Sequence, residues 1–197
     1  MIRAIINGEE KVYNSNDFEN FGAFLSKMLP SGMVLKSLKI NDKDIPISFV
    51  EELKGAKIDE DIKIEMEFVN TVEFLKETLN DVLGYINNVK VLLPQVASSL
   101  IVGNESGWKA ITDLSDGLAA MENLRNSTQQ ITKLSEEELN LSKNREEIAN
   151  TLRELLNSLS NRDNIEISDI VENKIPDVLD YYIEYFSKVL EALKKVN

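Results

Sequence analysis

The sequence predicts an α+β chain in which a small sheet domain precedes an antiparallel bundle of three to four long helices. Two observations carry that reading. Ile62, Ile64, Met66 and Phe68 alternate with Lys63, Glu65 and Glu67, the two-residue period of a strand with one buried and one wet face. From Asn70 onward apolar residues recur at three- and four-residue steps instead, the period of amphipathic helices. Asn70 and Glu73 have the spacing of a capping box at that change. The expected division is therefore a sheet domain over 1–69 and an acidic helical bundle over 70–197.

Within the first domain, "IRAII" and "EEKVY" flank Asn7-Gly8, a pair that tolerates positive φ at both positions and so favours a hairpin. Asn16 and Glu19 predict the start of a helix. Its buried face would hold Phe18, Phe21, Leu25 and Met28, with Pro30 and Gly32 beyond its end. "MVLKSLKI" follows as a strand and turns through "NDKD" into the short strand "IPI". The order hairpin, helix, strand pair, final strand resembles a β-grasp, the ubiquitin-like arrangement, over about a third of the chain. A fold-level likeness implies no activity. The last strand also runs straight into a helix, where a conjugated modifier needs a free Gly-Gly tail.

The first long helix carries Val72, Leu75, Leu79, Val82, Leu83, Ile86, Val89 and Leu93 as its main stripe. Phe74, Tyr85 and Leu92 flank it. Pro94 is expected to kink or end this helix, because its ring meets the carbonyl of Lys90. After "GNESG" a second helix places Trp108, Ile111, Leu114, Leu118 and Met121 on one side. A third restarts at Ser135 and Glu138, with Ile148, Leu152, Leu155, Leu156 and Leu159 in its latter half. A fourth spans about 168–195, bent near its start by Pro176, and buries Ile175, Leu179, Tyr182, Phe186, Val189, Leu190 and Leu193.

Between the second and third stripes lies "NLRNSTQQITKLSEEELNLSKNREE", residues 123–147. Continued helical phase puts Arg125, Thr128 and Thr132 opposite Glu138, Leu141 and Arg145, predicting a helical tip with a polar seam and a turn near 133–135. Arginine in such a seam needs an acid, and Glu122 or Glu138 is within reach of Arg125. Ile131, Leu134, Leu139 and Leu141 cannot all share one face. The stretch reads as a solvated hairpin end, a partner-binding tip or a plain flexible linker, and its caps and helix formers argue for local order over the last. Tyr181 and Tyr185, on the edge of the last apolar stripe, suit a docking surface for the sheet domain, a second subunit or a partner.

Composition narrows the chemistry. The 197 residues include no Cys and no His, so thiolate chemistry, disulfides and the usual neutral-pH base are all excluded. The net charge is -12, and residues 1–69 hold 9 of the 22 basic and 13 of the 34 acidic side chains, so no basic island forms. Nucleic acid and anionic membranes are disfavoured as partners. No apolar run suits a membrane span, and the N-terminal residues lack a signal-peptide pattern, so the expected location is cytoplasmic. Asp113/Asp116 and Asp177/Asp180 are spaced like magnesium-binding pairs, yet their helical phase places them on solvated faces. No phosphate-binding loop or nucleophile motif occurs, and no cofactor is expected.

The reading that follows is a non-catalytic protein–protein interaction module, an adaptor, assembly factor or export-chaperone-like protein. Its candidate partner surface comprises Arg125, Ile131, Leu134, Leu139, Leu141, Arg145, Tyr181 and Tyr185. The alternatives are a magnesium-dependent nucleotide pyrophosphohydrolase built on the aspartate pairs, and a structural homo-oligomer.

Overall fold

The computed structural model describes residues 1–58, 61–103 and 105–195. It is α+β, with a five-stranded mixed sheet followed by several long helices. The chain forms two compact units, Met1–Leu75 and Lys76–Asn197; the division falls inside a helix.

In the first unit, β1 (Ile2–Ile6), β2 (Glu9–Tyr13), β3 (Met33–Ile40), β4 (Lys43–Ile45) and β5 (Ile62–Asn70) pair in the order β2-β1-β5-β3-β4. β1 runs parallel to β5, and the other pairings are antiparallel. Asn7 and Gly8 have φ of 48° and 84°, as a two-residue hairpin with both central positions left-handed requires. The Asn7 side chain extends the ladder, accepting from the Phe68 N–H at 2.7 Å and donating to the Phe68 carbonyl at 3.1 Å. Asn41 does the same at the β3–β4 turn, where its Oδ1 accepts from the Lys63 N–H at 2.9 Å. Two turn asparagines thus lock both hairpins onto the central strand β5.

Ile2, Ala4, Leu38, Ile64, Met66 and Phe68 from the sheet bury against Phe18, Phe21, Phe24 and Leu25. Helix α1 is Phe21–Met28, capped by Asn20, whose side chain accepts from the Ala23 N–H. The expected start at Asn16 is therefore too early. Asn14 instead caps a short 3₁₀ turn over Ser15–Asp17, because Asn14 and Asn20 are each followed by free N–H groups at the right spacing. The fourth strand also lies ahead of "IPI": Ile40 pairs with Lys43 across Asn41-Asp42, both at positive φ. Helix α2 (Val50–Leu53), not anticipated, carries Val50 into the core.

Helix α3 (Thr71–Ile101) begins in this unit, its first N–H groups capped by Asn70. It does not end at Pro94. Leu93, Ala97 and Leu100 are buried on either side of the proline, and Ser168 donates to the Ala97 carbonyl at 2.9 Å. Packing beyond the proline outweighs the single backbone hydrogen bond that it removes.

The second unit continues with α4 (Glu105–Thr132), α5 (Glu136–Leu139), α6 (Arg145–Asn161), α7 (Asn164–Asn173) and α8 (Ile175–Lys195). Asn104, within the expected break after α3, lies outside the described residues. The helices expected from Ser135 and over 168–195 each prove to be two. Asn140 ends α5 in a left-handed conformation at φ 49°, and Lys174 separates α7 from α8. Pro176 therefore sits in the first turn of α8, where its missing N–H has no intrahelical partner to lose. Val178, Leu179, Tyr181, Tyr182, Tyr185, Phe186 and Val189 of α8 are fully buried, making α8 the centre of this unit. No described helix is long and apolar enough to cross a membrane.

Candidate functional site

The polar stretch opens as α4 reaches its last three turns. Arg125, at 8% relative exposure, faces inward one helical turn after Glu122. Its Nη2 donates to Glu122 Oε1 at 3.0 Å, and its Nη1 donates to Glu136 Oε1 at 3.0 Å. Arg145, at the start of α6, also donates to Glu122. From α8, the Tyr182 hydroxyl donates to Glu122 Oε2 at 2.8 Å, and the Tyr181 hydroxyl donates to Glu136 Oε1 at 2.9 Å. The Tyr185 hydroxyl reaches the Arg125 carbonyl at 3.4 Å. Two carboxylates, two guanidiniums and three phenols thus form one knot that ties α4, α5 and α6 to α8.

The knot's electrostatics follow from partial burial. Burial raises the Glu122 carboxyl, but hydrogen bonds from Arg125 and Tyr182, with the charges of Arg125 and Arg145, outweigh it and leave a net lowering. Burial, together with the Glu136 carboxylate, pushes the Tyr181 phenol well above its ordinary range. Burial with the Glu122 carboxylate does the same to Tyr182. Glu122 is therefore ionised and the Tyr181 and Tyr182 phenols neutral at neutral pH, as charge-assisted hydrogen bonds between them require.

Residues after the knot are fastened to α8 as well. Ser135 and Glu138 form a reciprocal capping box on α5. The Ser142 N–H donates to both Glu184 oxygens at 3.0 Å, and Lys143 pairs with Asp177 at 2.6 Å. Leu139 is buried. The predicted partner surface is corrected accordingly. Tyr181 and Tyr185 are core residues with 0% exposure and no docking edge, because the stretch itself occupies the face of α8 that periodicity left open. Arg125 and Leu139 are likewise buried, whereas Leu134, Leu141 and Arg145 are half-buried. Ile131 stays exposed, at 44%. Arg125 does pair with Glu122, but its second acid is Glu136, since Glu138 is engaged by Ser135.

The aspartate pairs are not gathered into a site. Asp113 and Asp116 are exposed on α4. Asp177 pairs with Lys143, and Asp180 with Lys90. Among the described residues no three acidic side chains converge as a metal would need.

A feature that the sequence reading missed lies between α3 and α4. Thr78, Asp81, Val82 and Tyr85 face Gly117, Ala120, Met121 and Leu124 across a groove of about 390 Å³. Gly117 admits the Tyr85 ring: a Cβ there would meet the phenol oxygen at 2.7 Å. The signals were a second apolar stripe through Tyr85 and a glycine inside a helix, which together mark a close side-chain approach.

The helices from the groove to the knot match one family profile, over residues 77–180. The chain belongs to the family described as a domain of unknown function, DUF8042. The DUF8042 match covers more than half of the chain, begins within α3 and includes Glu122, Arg125, Glu136 and Arg145; it stops one residue before Tyr181. No curated protein and no solved structure matches the chain.

Proposed function

We propose that this DUF8042 protein is a non-catalytic, cytoplasmic protein–protein interaction module, in which a β-grasp-like sheet domain precedes an antiparallel helical bundle. The observation that carries the reading is the α3–α4 groove, an open apolar depression on the helical unit with Tyr85, Ala120 and Leu124 in its walls. Its polar side chains are Thr78, Asp81 and the hydroxyl of Tyr85, the composition of a surface suited to receiving side chains. Asp81 lines the groove, and Asp113 lies one helical turn before Gly117 on α4. A partner helix with an apolar anchor and basic flanking residues fits both features. The charge of -12 disfavours nucleic acid and anionic lipid as occupants.

The test is affinity capture from the native host with the intact chain and with Ala120→Glu. Ala120 is exposed, so the substitution places a charge in the groove without disturbing the core. A partner held by the intact chain and lost by the variant is the expected result. Equal capture by both would remove the groove as the binding surface.

A further inference from the structure

Asn7-Gly8 is the single asparagine–glycine step in the chain. In an open chain such a step is the one most prone to lose its side-chain amide, because glycine has no Cβ to hinder attack by its own nitrogen. Both residues are exposed, and a Cβ built on Gly8 meets nothing within 4 Å, so water reaches the step freely. What the fold restrains is the Asn7 side chain. Its Oδ1 accepts from the Phe68 N–H at 2.7 Å, and its Nδ2 donates to the Phe68 carbonyl at 3.1 Å. The Asn7 backbone N–H donates to the Met66 carbonyl at 2.9 Å. Three hydrogen bonds therefore hold a reactive, water-exposed amide residue onto β5.

We propose that Asn7 is a deamidation site that the fold holds shut, and that opening of the β1–β2 hairpin from β5 converts it irreversibly. In the reaction the Gly8 backbone nitrogen, its proton taken by hydroxide, attacks Asn7 Cγ. The Gly8 N–Cγ bond forms, the Cγ–Nδ2 bond breaks, and Nδ2 departs as ammonia with a proton from water. Water then adds across one of the two imide C–N bonds, leaving an aspartyl or isoaspartyl residue at position 7. Closure of the imide ring turns Cγ toward the Gly8 nitrogen and releases Nδ2, so both side-chain bonds to Phe68 must be given up first.

The product does not restore the ladder. A carboxylate at position 7 still accepts from the Phe68 N–H, but its other oxygen faces the Phe68 carbonyl with no proton between them. Glu65 and Glu67 line the same cleft as Asn7, and a further negative charge beside them is unfavourable. An isoaspartyl residue adds a backbone carbon, which breaks the two-residue turn and the pairing of Ile6 with Glu9. The hairpin thus keeps a chemical record of its own opening, since each conversion makes the next opening easier.

The site lies in the sheet unit, so it stands or falls apart from the α3–α4 groove. The full chain is incubated at mildly alkaline pH, once folded and once in guanidinium, and then cut with trypsin. Cleavage after Arg3 and Lys11 frees residues 4–11, in which Asn7 is the one amide side chain, so conversion reads directly as a mass gain. It should be at least about tenfold slower in the folded chain. Protection of Asn7 should also match protection of the Phe68 N–H against hydrogen exchange, because both wait on the same opening. Asn7→Asp should exchange that N–H several-fold faster than wild type. Equal conversion in the folded and unfolded chains overturns the proposal, as does conversion that outruns exchange at Phe68. Unchanged exchange in Asn7→Asp overturns the one-way character.

Discussion

Arg125 joins α4 to α5 through Glu136, with Nη1 and Oε1 3.0 Å apart across the turn at 133–135. The Arg125 side chain is 9% exposed, while the Glu122 and Glu136 side chains are about one-quarter exposed. Replacing Arg125 with Met keeps the packing volume of the stem but strands two partly buried carboxylates. Arg145 still reaches Glu122, so the loss falls below the full cost of breaking a buried pair, at about 2–3 kcal/mol. Urea denaturation followed by helical circular dichroism should show that decrease. An unchanged midpoint would mean that water satisfies the carboxylates as well as Arg125 does.

Acid should loosen the same knot. The Glu122 carboxyl has a folded-state pKa below its ordinary value of 4.5, so its contribution to stability is complete above that value. It is lost as pH falls toward the folded value. Glu184, raised by burial but lowered further by its bonds from Lys188 and Ser142, adds to the trend. The wild-type urea midpoint should therefore fall as pH drops below about 4.5, and Glu122→Gln should show a shallower dependence over that range. Parallel profiles for the two proteins would contradict the assignment.

At alkaline pH the tyrosines take over. The phenols of Tyr181, Tyr182 and Tyr185 are all raised, burial being the first cause in each. A raised folded-state pKa gives stability that is complete below the unfolded value, about 10 for a phenol, and declines above it. Ultraviolet titration should show tyrosinate from these three residues appearing together with unfolding. Tyr182→Phe removes the 2.8 Å bond to Glu122 and should cost about 1.5–2 kcal/mol at neutral pH. It should also weaken the alkaline decline.

Much of the fold was legible because single residues decide it locally. The Asn7-Gly8 hairpin, the alternation along β5 and the cap at Asn70 each depend on a few neighbouring side chains. The ends of α1 and α3 were less so. Asn14, Asn16 and Asn20 all offer capping chemistry, and only the core position of Phe24 favours Asn20. Pro94 breaks an isolated helix, yet tertiary packing of Leu93 and Ala97 carries α3 past it. At the polar stretch, spacing exposed the need of Arg125 for an acid and correctly brought Glu122 to it. It could not reveal that α5 and the segment to Lys143 fold over the tyrosine face of α8, because that contact joins residues 34 to 45 apart.

The two helical glycines of α4 provide a last contrast. A Cβ on Gly107 would lie 2.6 Å from the Ser99 carbonyl oxygen and 2.8 Å from its carbon, all of it backbone of α3. Neither helix can yield without giving up the close crossing beside Leu100 and Ile111, both fully buried. Gly107→Ala should therefore destabilise the helical unit by about 1–3 kcal/mol, as overpacking does. A Cβ on Gly117 would meet only the phenol end of Tyr85, a ring that is 46% exposed and free to turn outward. Gly117→Ala gains helix propensity, so its net effect should stay within about 1 kcal/mol of wild type. Thermal melts of the two variants should separate clearly, with Gly107→Ala the lower. Comparable melting would mean that the α3–α4 crossing relaxes at little cost, and the groove beside Tyr85 would then be a pliable surface.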